Sequence, residues 1–257
     1  MISDVDSPPP RERLKQASTV VRLHFPVFLR WLPAVIAVLV VLDLLALWST
    51  YYLGHGRLFG LIAMVRLDLE KNIPTFVSAS LLVLCALLTA QHAKTAWHHS
   101  RAEARYWAGM AVAFTFVALD EWFSWHEQLI RPVREALNLS GYLYYGWVVP
   151  YGVAVLILAA LYLRFLWRLP APFRRRLFIA AGLFLGGAVG MELVGGAYFD
   201  GNQERRDFGF GLITMVEETL ELSGAAVALR AFVLGFGFDE LRLITKQRVR
   251  DGSIQFE

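Results

Sequence analysis

The segment LPAVIAVLVVLDLLALWSTY, Leu32–Tyr51, indicates whether this chain folds in water or in a lipid bilayer. It holds 20 residues and a single charged side chain, Asp43. A helix needs about 20 predominantly apolar residues to cross the hydrocarbon core of a bilayer. The segment is too long for the apolar core of a signal peptide, and no Ala-x-Ala sequence comes after it. We therefore predict that it is a first transmembrane helix that is not cleaved.

Five segments further along the chain have similar length and apolar character. The six predicted spans are Leu32–Tyr51, Thr75–His92, Tyr106–Trp125, Leu143–Leu166, Leu177–Ala197 and Gly211–Gly235. Charged residues make up 18% of the 257 residues, whereas a soluble domain has about 25%. These observations predict an all-α, polytopic transmembrane helical bundle of about six spans, with the lipid bilayer as its surroundings.

Lysine and arginine are distributed unevenly over the segments that connect the predicted spans. The two tails, every second loop and the span ends beside them hold 18 of them, and the alternate loops hold 7. Because basic residues accumulate on the cytoplasmic side, both termini are expected to be cytoplasmic, which requires an even number of spans. We predict a cytoplasmic N-terminal tail at 1–30, a transmembrane helical domain at 31–237 and a cytoplasmic C-terminal tail at 238–257, in a multi-pass protein of the bacterial inner membrane. The basic residues form no single patch, so no nucleic acid is expected as a partner.

Acidic residues interrupt the apolar segments at eight positions. They are Asp43, Asp120, Glu121, Glu127, Glu192, Glu217, Glu218 and Glu221. An ionisable residue inside a span costs roughly 2.5–3.5 kcal/mol even on the most lenient insertion scale. In the predicted orientation all eight lie in the outer half of the bilayer. This common depth predicts a shared site.

Helical spacing indicates which of these side chains face each other. Along a continuous helix Asp120, Ser124 and Glu127 form one stripe. Glu121 and His126 lie on opposite sides of that stripe, so both can join it only where the helix end unwinds. Another acidic face is expected from Glu217, Glu218 and Glu221. Close approach of the fifth span, which carries Glu192, is expected from small-xxx-small steps at Gly182, Gly186 and Gly190.

Carboxylates gathered at one depth must hold protons, bind cations or open to water, because two of them 4 Å apart repel by about 4 kcal/mol at an effective dielectric constant near 20. Mixed carboxylate and imidazole ligands suit Zn²⁺, Fe²⁺ or Mn²⁺. The candidate metal ligands are Asp120, Glu121, His126, Glu127, Glu192, Glu217, Glu218 and Glu221. The lone Cys85 excludes zinc fingers and redox pairs.

Each candidate also has a structural interpretation. The group from Asp120 to Glu127 also fits a helix end that emerges into water, and the group from Glu217 to Glu221 also fits carboxylates at a helix N-terminus. Glu192 also fits a hydrogen-bonded packing residue. For Asp43 the structural interpretation is favoured. Asp68 and Glu70, in an interfacial segment at 57–72, are interpreted as surface charges.

Four short motifs resemble those of uncharacterised bacterial six-span integral membrane proteins. They are NIPT at Asn72–Thr75, LDEWFSWHE at Leu119–Glu127, GMELVGG at Gly190–Gly196 and EETLELSG at Glu217–Gly224. The resemblance covers most of the chain and implies no established activity. Membrane hydrolases related to alkaline ceramidase are similar in size and outward acidity, but they need several histidines within the spans, and here only His126 lies near them.

The leading functional hypothesis is an intramembrane carboxylate cluster that binds a metal cation or protons near the periplasmic side, in a metal-dependent enzyme acting on a lipid or lipophilic substrate. The first alternative is a proton- or cation-coupled transporter, working as a homo-oligomer. The second is a structural or assembly subunit. An acidic site at one side of the bilayer favours the enzyme, because carriers usually bind at the midplane.

Overall fold

The computed structural model describes residues 16–238, 240–250 and 253–255, with side chains from 27 to 238. Its helices are α1 (Phe25–Tyr52), α2 (Leu61–Val65), α3 (Ile73–Ala96), α4 (Arg101–Phe123), α5 (Trp125–Leu137), α6 (Val148–Arg168), α7 (Ala171–Leu185), α8 (Glu192–Gly201) and α9 (Phe208–Phe236). A π-helical segment, Gly186–Met191, joins α7 to α8, and short 3₁₀ turns occur at Leu58–Gly60 and Gly141–Leu143. The helical body is all-α, as predicted.

In the part of the chain that the structure describes, five helices are long and apolar enough to cross a membrane. They are Val27–Tyr52, Ile73–Ala96, Val148–Arg168, Ala171–Gly201 and Phe208–Phe236. Each contains most of one predicted span. The remaining predicted span, Tyr106–Trp125, corresponds to α4, which has 23 residues and packs along α3. Charged and polar side chains at both ends of α4 explain why it is less apolar than the other five.

The two ends of the helical body are joined by a small antiparallel sheet, which the sequence patterns did not predict. Strand β1 (Gln16–His24) pairs with β2 (Glu240–Arg250). Strand β2 also pairs with β3 (Ser253–Gln255). The β1–β2 pair places the start of α1 beside the end of α9. The remainder of the predicted tails, residues 1–15, 239, 251–252 and 256–257, lies outside the described residues.

Capping side chains define where the helices begin. Asn72 accepts a hydrogen bond from the Thr75 backbone N–H at 3.1 Å, and Pro74 occupies the first turn of α3, where its missing N–H is not needed. Asp207 caps α9 in the same way through Phe210, at 2.8 Å. These caps position the first turns of two helices that border the candidate site.

Helix α9 lies at the centre of the bundle and contacts α1, α3 and α7. At its C-terminal end, aromatic rings from four helices form a cluster around the fully buried Trp107. His92 stacks on Phe236 with ring centroids 3.9 Å apart. Since Trp107 lies near the beginning of α4 and Asp120 near its end, this aromatic cluster closes the end of the bundle opposite the acidic residues.

Asp43 belongs to a buried ionic network and not to the acidic site. Its carboxylate lies 3.0 Å from Arg66 Nε and accepts a hydrogen bond from the Leu67 N–H at 3.1 Å. Arg66 also contacts Asp68 at 2.6 Å, and the exposed fractions of Asp43 and Arg66 are 1% and 7%. The structural interpretation of Asp43 is therefore correct, and the network anchors the chain between α2 and α3 onto α1.

We expect Arg66→Met to lower the free energy of unfolding by about 3–5 kcal/mol, because it leaves two buried carboxylates without their cation. Denaturant titration in detergent would measure the change. Arg131→Met is the matched control, since the Arg131–Glu135 pair is highly exposed and should contribute little. Equal, small effects of both substitutions would show that the Arg66 network does not stabilise the fold.

Candidate functional site

A cavity of about 580 Å³ lies where α4 ends and α9 begins. Nine acidic residues and one histidine line it: Asp68, Glu70, Asp120, Glu121, His126, Glu127, Glu192, Glu217, Glu218 and Glu221. All eight of the metal-ligand candidates taken from the sequence are among them. The structure therefore brings together side chains from α4, α5, α8 and α9, although the first and last of these eight are 101 positions apart in the sequence (221 − 120).

The helix break at Ser124 brings the α4 and α5 side chains together. Ser124 has left-handed backbone angles, φ 53° and ψ 46°, and ends α4 while it begins α5. A non-glycine residue in this conformation is uncommon and costs energy. Because the helix unwinds here, Glu121 and His126 both line the cavity. A continuous helix would have kept them apart.

Asp120 holds His126 in position at this break. One carboxylate oxygen of Asp120 accepts the His126 backbone N–H at 3.0 Å and the Tyr151 hydroxyl at 2.7 Å. The other lies 2.8 Å from His126 Nδ1. Asp120 is 8% exposed, so the interpretation of a helix end emerging into water is wrong for this residue. The two contacts to His126 set both its backbone and the orientation of its ring.

The π-helical segment presents Glu192 to the cavity and changes which glycine approaches α9. Gly182 and Gly186 have no neighbour within 4 Å of a built Cβ, so the predicted small-xxx-small steps are not the contact surface. Gly187 is the contact: a Cβ there would lie 2.6 Å from the Glu217 carbonyl oxygen and 2.7 Å from Glu221 Cγ. A π segment adds a residue to the turn and rotates the helix beyond it, which explains the difference.

Glu192 itself accepts a hydrogen bond from Trp147 Nε1 at 2.6 Å. Trp147 lies just before α6 and also packs against the His126 ring, with centroids 4.9 Å apart. The indole therefore links the carboxylate of α8 to the imidazole of α5. Trp147 and Tyr145 were not among the site residues predicted from the sequence, yet both line the cavity.

The three acidic residues of α9 lie deep in the cavity. Glu217 is 8% exposed, and Glu218 and Glu221 are partly buried. Within residues 27–238 no lysine or arginine forms an ion pair with any of the three. Arg206 lines the cavity near its mouth, with its guanidinium 5.6 Å from the Phe210 ring centroid. The α9 carboxylates are thus close to other acids and are not neutralised by a neighbouring cation.

Glu70 is a site residue that the sequence patterns did not reveal. One oxygen of Glu70, one of Glu127 and a ring nitrogen of His126 all lie within 4.8 Å of one another. Asp68, held by Arg66, lines the same cavity. The interpretation of Asp68 and Glu70 as surface charges is therefore wrong. The signal in the sequence was weak: both lie close to the NIPT motif at the start of α3.

Burial and neighbouring charges perturb the pKa values of Glu70 and His126, which lie outside the long helices. Burial, together with the charges of Glu121 and Glu127, raises the pKa of Glu70 to about 7, although His126 and a hydrogen bond with Ser124 oppose the shift. Burial lowers the pKa of His126, but the hydrogen bond and charge of Asp120 and the charge of Glu127 outweigh it, so that the pKa lies above its usual value. Perturbed pKa values of this kind are common at functional sites.

The family "Domain of unknown function (DUF8692)" matches the chain over residues 31–236. The match includes every residue of the cavity. No curated protein and no solved structure matches the chain.

We expect Gly187→Ala to destabilise the protein by about 1–3 kcal/mol, because the added methyl group collides with the backbone of α9. Gly186→Ala is the control on the adjacent residue, where a methyl group has free space; there, lower backbone entropy should stabilise by about 0.5–1 kcal/mol. The free energy of unfolding in detergent distinguishes the two. Similar effects of both substitutions would contradict the contact between the π segment and α9.

The raised pKa of Glu70 predicts a pH dependence of stability. The folded state holds the Glu70 proton more tightly than the unfolded state, so stability should fall as the pH rises from about 4.5 to about 7. Thermal unfolding with a chelator present, at about pH 4 and about pH 8, on either side of this range, measures the difference, which should shrink in Glu70→Gln. Glu135→Gln, at an exposed position of α5, should leave it unchanged. An undiminished difference in Glu70→Gln would contradict the assignment.

Proposed function

The chain belongs to the family "Domain of unknown function (DUF8692)", and from the geometry of its cavity we propose that it is a membrane-embedded, metal-dependent enzyme acting on a lipophilic substrate. The observation that carries the proposal is the trio Glu70, His126 and Glu127, with His126 oriented by Asp120. The cavity that holds these polar groups also has apolar lining residues, so it can bind both the reactive polar group and the hydrophobic part of one substrate.

Six spans in the bacterial inner membrane, with both termini cytoplasmic, fit the arrangement of the helices. Five helices among the described residues qualify by length and apolarity. Pairing of β1 with β2 brings the two ends of the bundle together, which favours an even number of crossings. Helix α4, packed along α3, supplies the sixth. The distribution of basic residues then assigns the acidic cavity to the periplasmic side.

The donor set suits a transition metal. Two carboxylates and an imidazole are ligands for Zn²⁺, Fe²⁺ or Mn²⁺. A histidine that binds metal through one ring nitrogen usually gives the other to a carboxylate. Asp120 contacts His126 at Nδ1, which leaves Nε2 as the nitrogen available to an ion. Asp120 is thus a positioning residue, and the other carboxylates of the cavity offer further oxygen ligands.

A metal at this trio would supply Lewis acidity and a bound water with a lowered pKa. The residues of the chain have separate tasks. Glu217, which is buried, and Glu221, which is partly buried, lie near Glu192 without an ion pair in the described part of the chain, and they are placed to accept or donate protons during the reaction. Apolar residues that line the same cavity, among them Val155 and Phe184, suit a substrate with a hydrophobic part.

The transporter alternative is less well supported. A carrier has to open its site to both sides of the membrane. The aromatic cluster around Trp107 fills the far end of the bundle. A purely structural role is also less favoured, because within residues 27–238 no arginine or lysine neutralises the α9 carboxylates.

Elemental analysis of detergent-purified protein tests the proposal. We expect stoichiometric transition metal in the wild type and its loss in His126→Ala and Glu127→Gln, which each remove a ligand. Asp120→Asn should weaken metal affinity by about 10–100-fold, the usual effect of removing a carboxylate that orients a histidine ligand.

Glu135→Gln is the matched control for these measurements, because Glu135 lies on the same helix, α5, and pairs with Arg131 at the surface. It should retain the metal of the wild type. A wild-type protein that binds no metal at any pH, or a His126→Ala variant with undiminished metal, would exclude the proposed enzyme.

A further inference from the structure

A second cavity, of about 430 Å³, adjoins the acidic cavity and lies farther along α6 toward its C-terminal end. It is bordered by α3, α4, α6, α7 and α9. Six residues line both cavities: Ala113, Val117, Val155, Leu158, Phe184 and Leu185. The shared wall makes the two cavities neighbouring parts of one internal space, acidic at the outer end and apolar below it.

The second cavity offers almost nothing to a polar ligand. Its lining is aliphatic and aromatic, and the one hydroxyl, of Tyr162, already donates to the Tyr106 carbonyl oxygen at 3.0 Å. Apolar cavities of about 150 Å³ stay dry and accept small hydrocarbons. A volume of about 430 Å³ lies at the lower end of the range of about 300–1,000 Å³ found for ligand pockets. The expected ligand is therefore a slender hydrocarbon.

The length of the second cavity matches one leaflet of a bilayer. Along α6 its lining runs from Val155 to Leu166, a rise of about 16 Å at 1.5 Å per residue. Half of a hydrocarbon core of about 30 Å is about 15 Å. A single lipid chain has this length.

Helix α6 leaves a lateral opening through which such a chain can enter. Hydrogen bonds tie α6 to α4 near its two ends, from Tyr151 to Asp120 and from Tyr162 to the backbone of Tyr106. Beside these contacts Leu158 and Leu163 line the second cavity and yet are 42% and 53% exposed. Side chains that are both cavity lining and exposed show that the wall is open toward the surrounding lipid.

We propose that the second cavity holds the single hydrocarbon chain of an amphiphilic substrate, whose head group lies among the carboxylates near His126. This inference rests on the proposed function, because it assigns the substrate class of the same site. The polar end of the substrate reaches Glu70, His126 and Glu127, and the shared wall at Val155 and Phe184 is the boundary between head and tail.

Photolabelling tests the assignment with hexadecanol that carries a diazirine in the middle of its chain. In the wild type, cross-links should map to α4, α6 and α7. Ala159→Trp fills the second cavity from α6, and labelling should fall about tenfold, the effect of displacing roughly two methylene groups from apolar contact. Ala181→Trp fills it from α7 and should act in the same way.

Ala160→Trp is the matched control, because Ala160 is exposed on the same helix but does not line either cavity. It should keep wild-type labelling. Equal labelling of Ala159→Trp and Ala160→Trp, or cross-links confined to the outer surface of the bundle, would overturn the assignment of the second cavity.

Metal content, measured on the same preparations, separates this inference from the proposed function. Bound metal in Ala159→Trp together with lost labelling supports both. Bound metal with equal labelling of the two tryptophan variants overturns the tail pocket alone. Selective labelling of a protein that binds no metal supports the hydrocarbon site and overturns the metal-dependent reaction.

Discussion

Charge inside a low-dielectric bundle is the constraint on which this structure depends. A carboxylate alone in a span costs roughly 2.5–3.5 kcal/mol, and nine carboxylates, from the long helices and from the segments that connect them, surround one cavity here. Asp43 lies outside that cavity, and a buried ion pair with Arg66 stabilises its charge. The charge of Asp120 is stabilised by hydrogen bonds from His126 and Tyr151. Among the described residues the α9 acids have no ion pair with an arginine or lysine, and this difference is one of the observations behind the proposed function.

Two irregular turns bring acidic side chains of separate helices together at one cavity. The left-handed Ser124 ends α4 early and turns His126 back onto Asp120. The π segment at Gly186–Met191 brings Gly187 against α9 and presents Glu192 to the cavity. Both turns are energetically less favourable than continued α-helix. Ser124 lies between the acids of α4 and α5, and the π segment begins next to Leu185, which lines both cavities.

Much of the candidate site could be predicted from the sequence, because the position of a residue along a helix follows directly from its position in the sequence. The length of each apolar segment predicts where a helix lies in the sequence, and a rise of about 1.5 Å per residue gives the position of each acidic residue along that helix. Eight residues that line the cavity could therefore be named from the sequence. Glu70 and Asp68 could not, because they lie in a short non-helical segment whose position depends on the Arg66 network and on the Asn72 cap. Loop residues carry no periodicity from which a facing direction can be read.

The sequence by itself determined which segments form apolar helices long enough to cross a membrane and how far along each helix the carboxylates lie, since both depend on local composition and on the fixed rise of a helix. Only the tertiary structure decided which side chains meet. The direction in which a side chain points depends on its angle around the helix axis. A single unwound residue such as Ser124, or one π turn before Glu192, changes that angle for every later residue of the helix. The apolar cavity likewise exists because α6 stands away from α4 between its two tyrosine contacts, a separation between distant segments that no local pattern specifies.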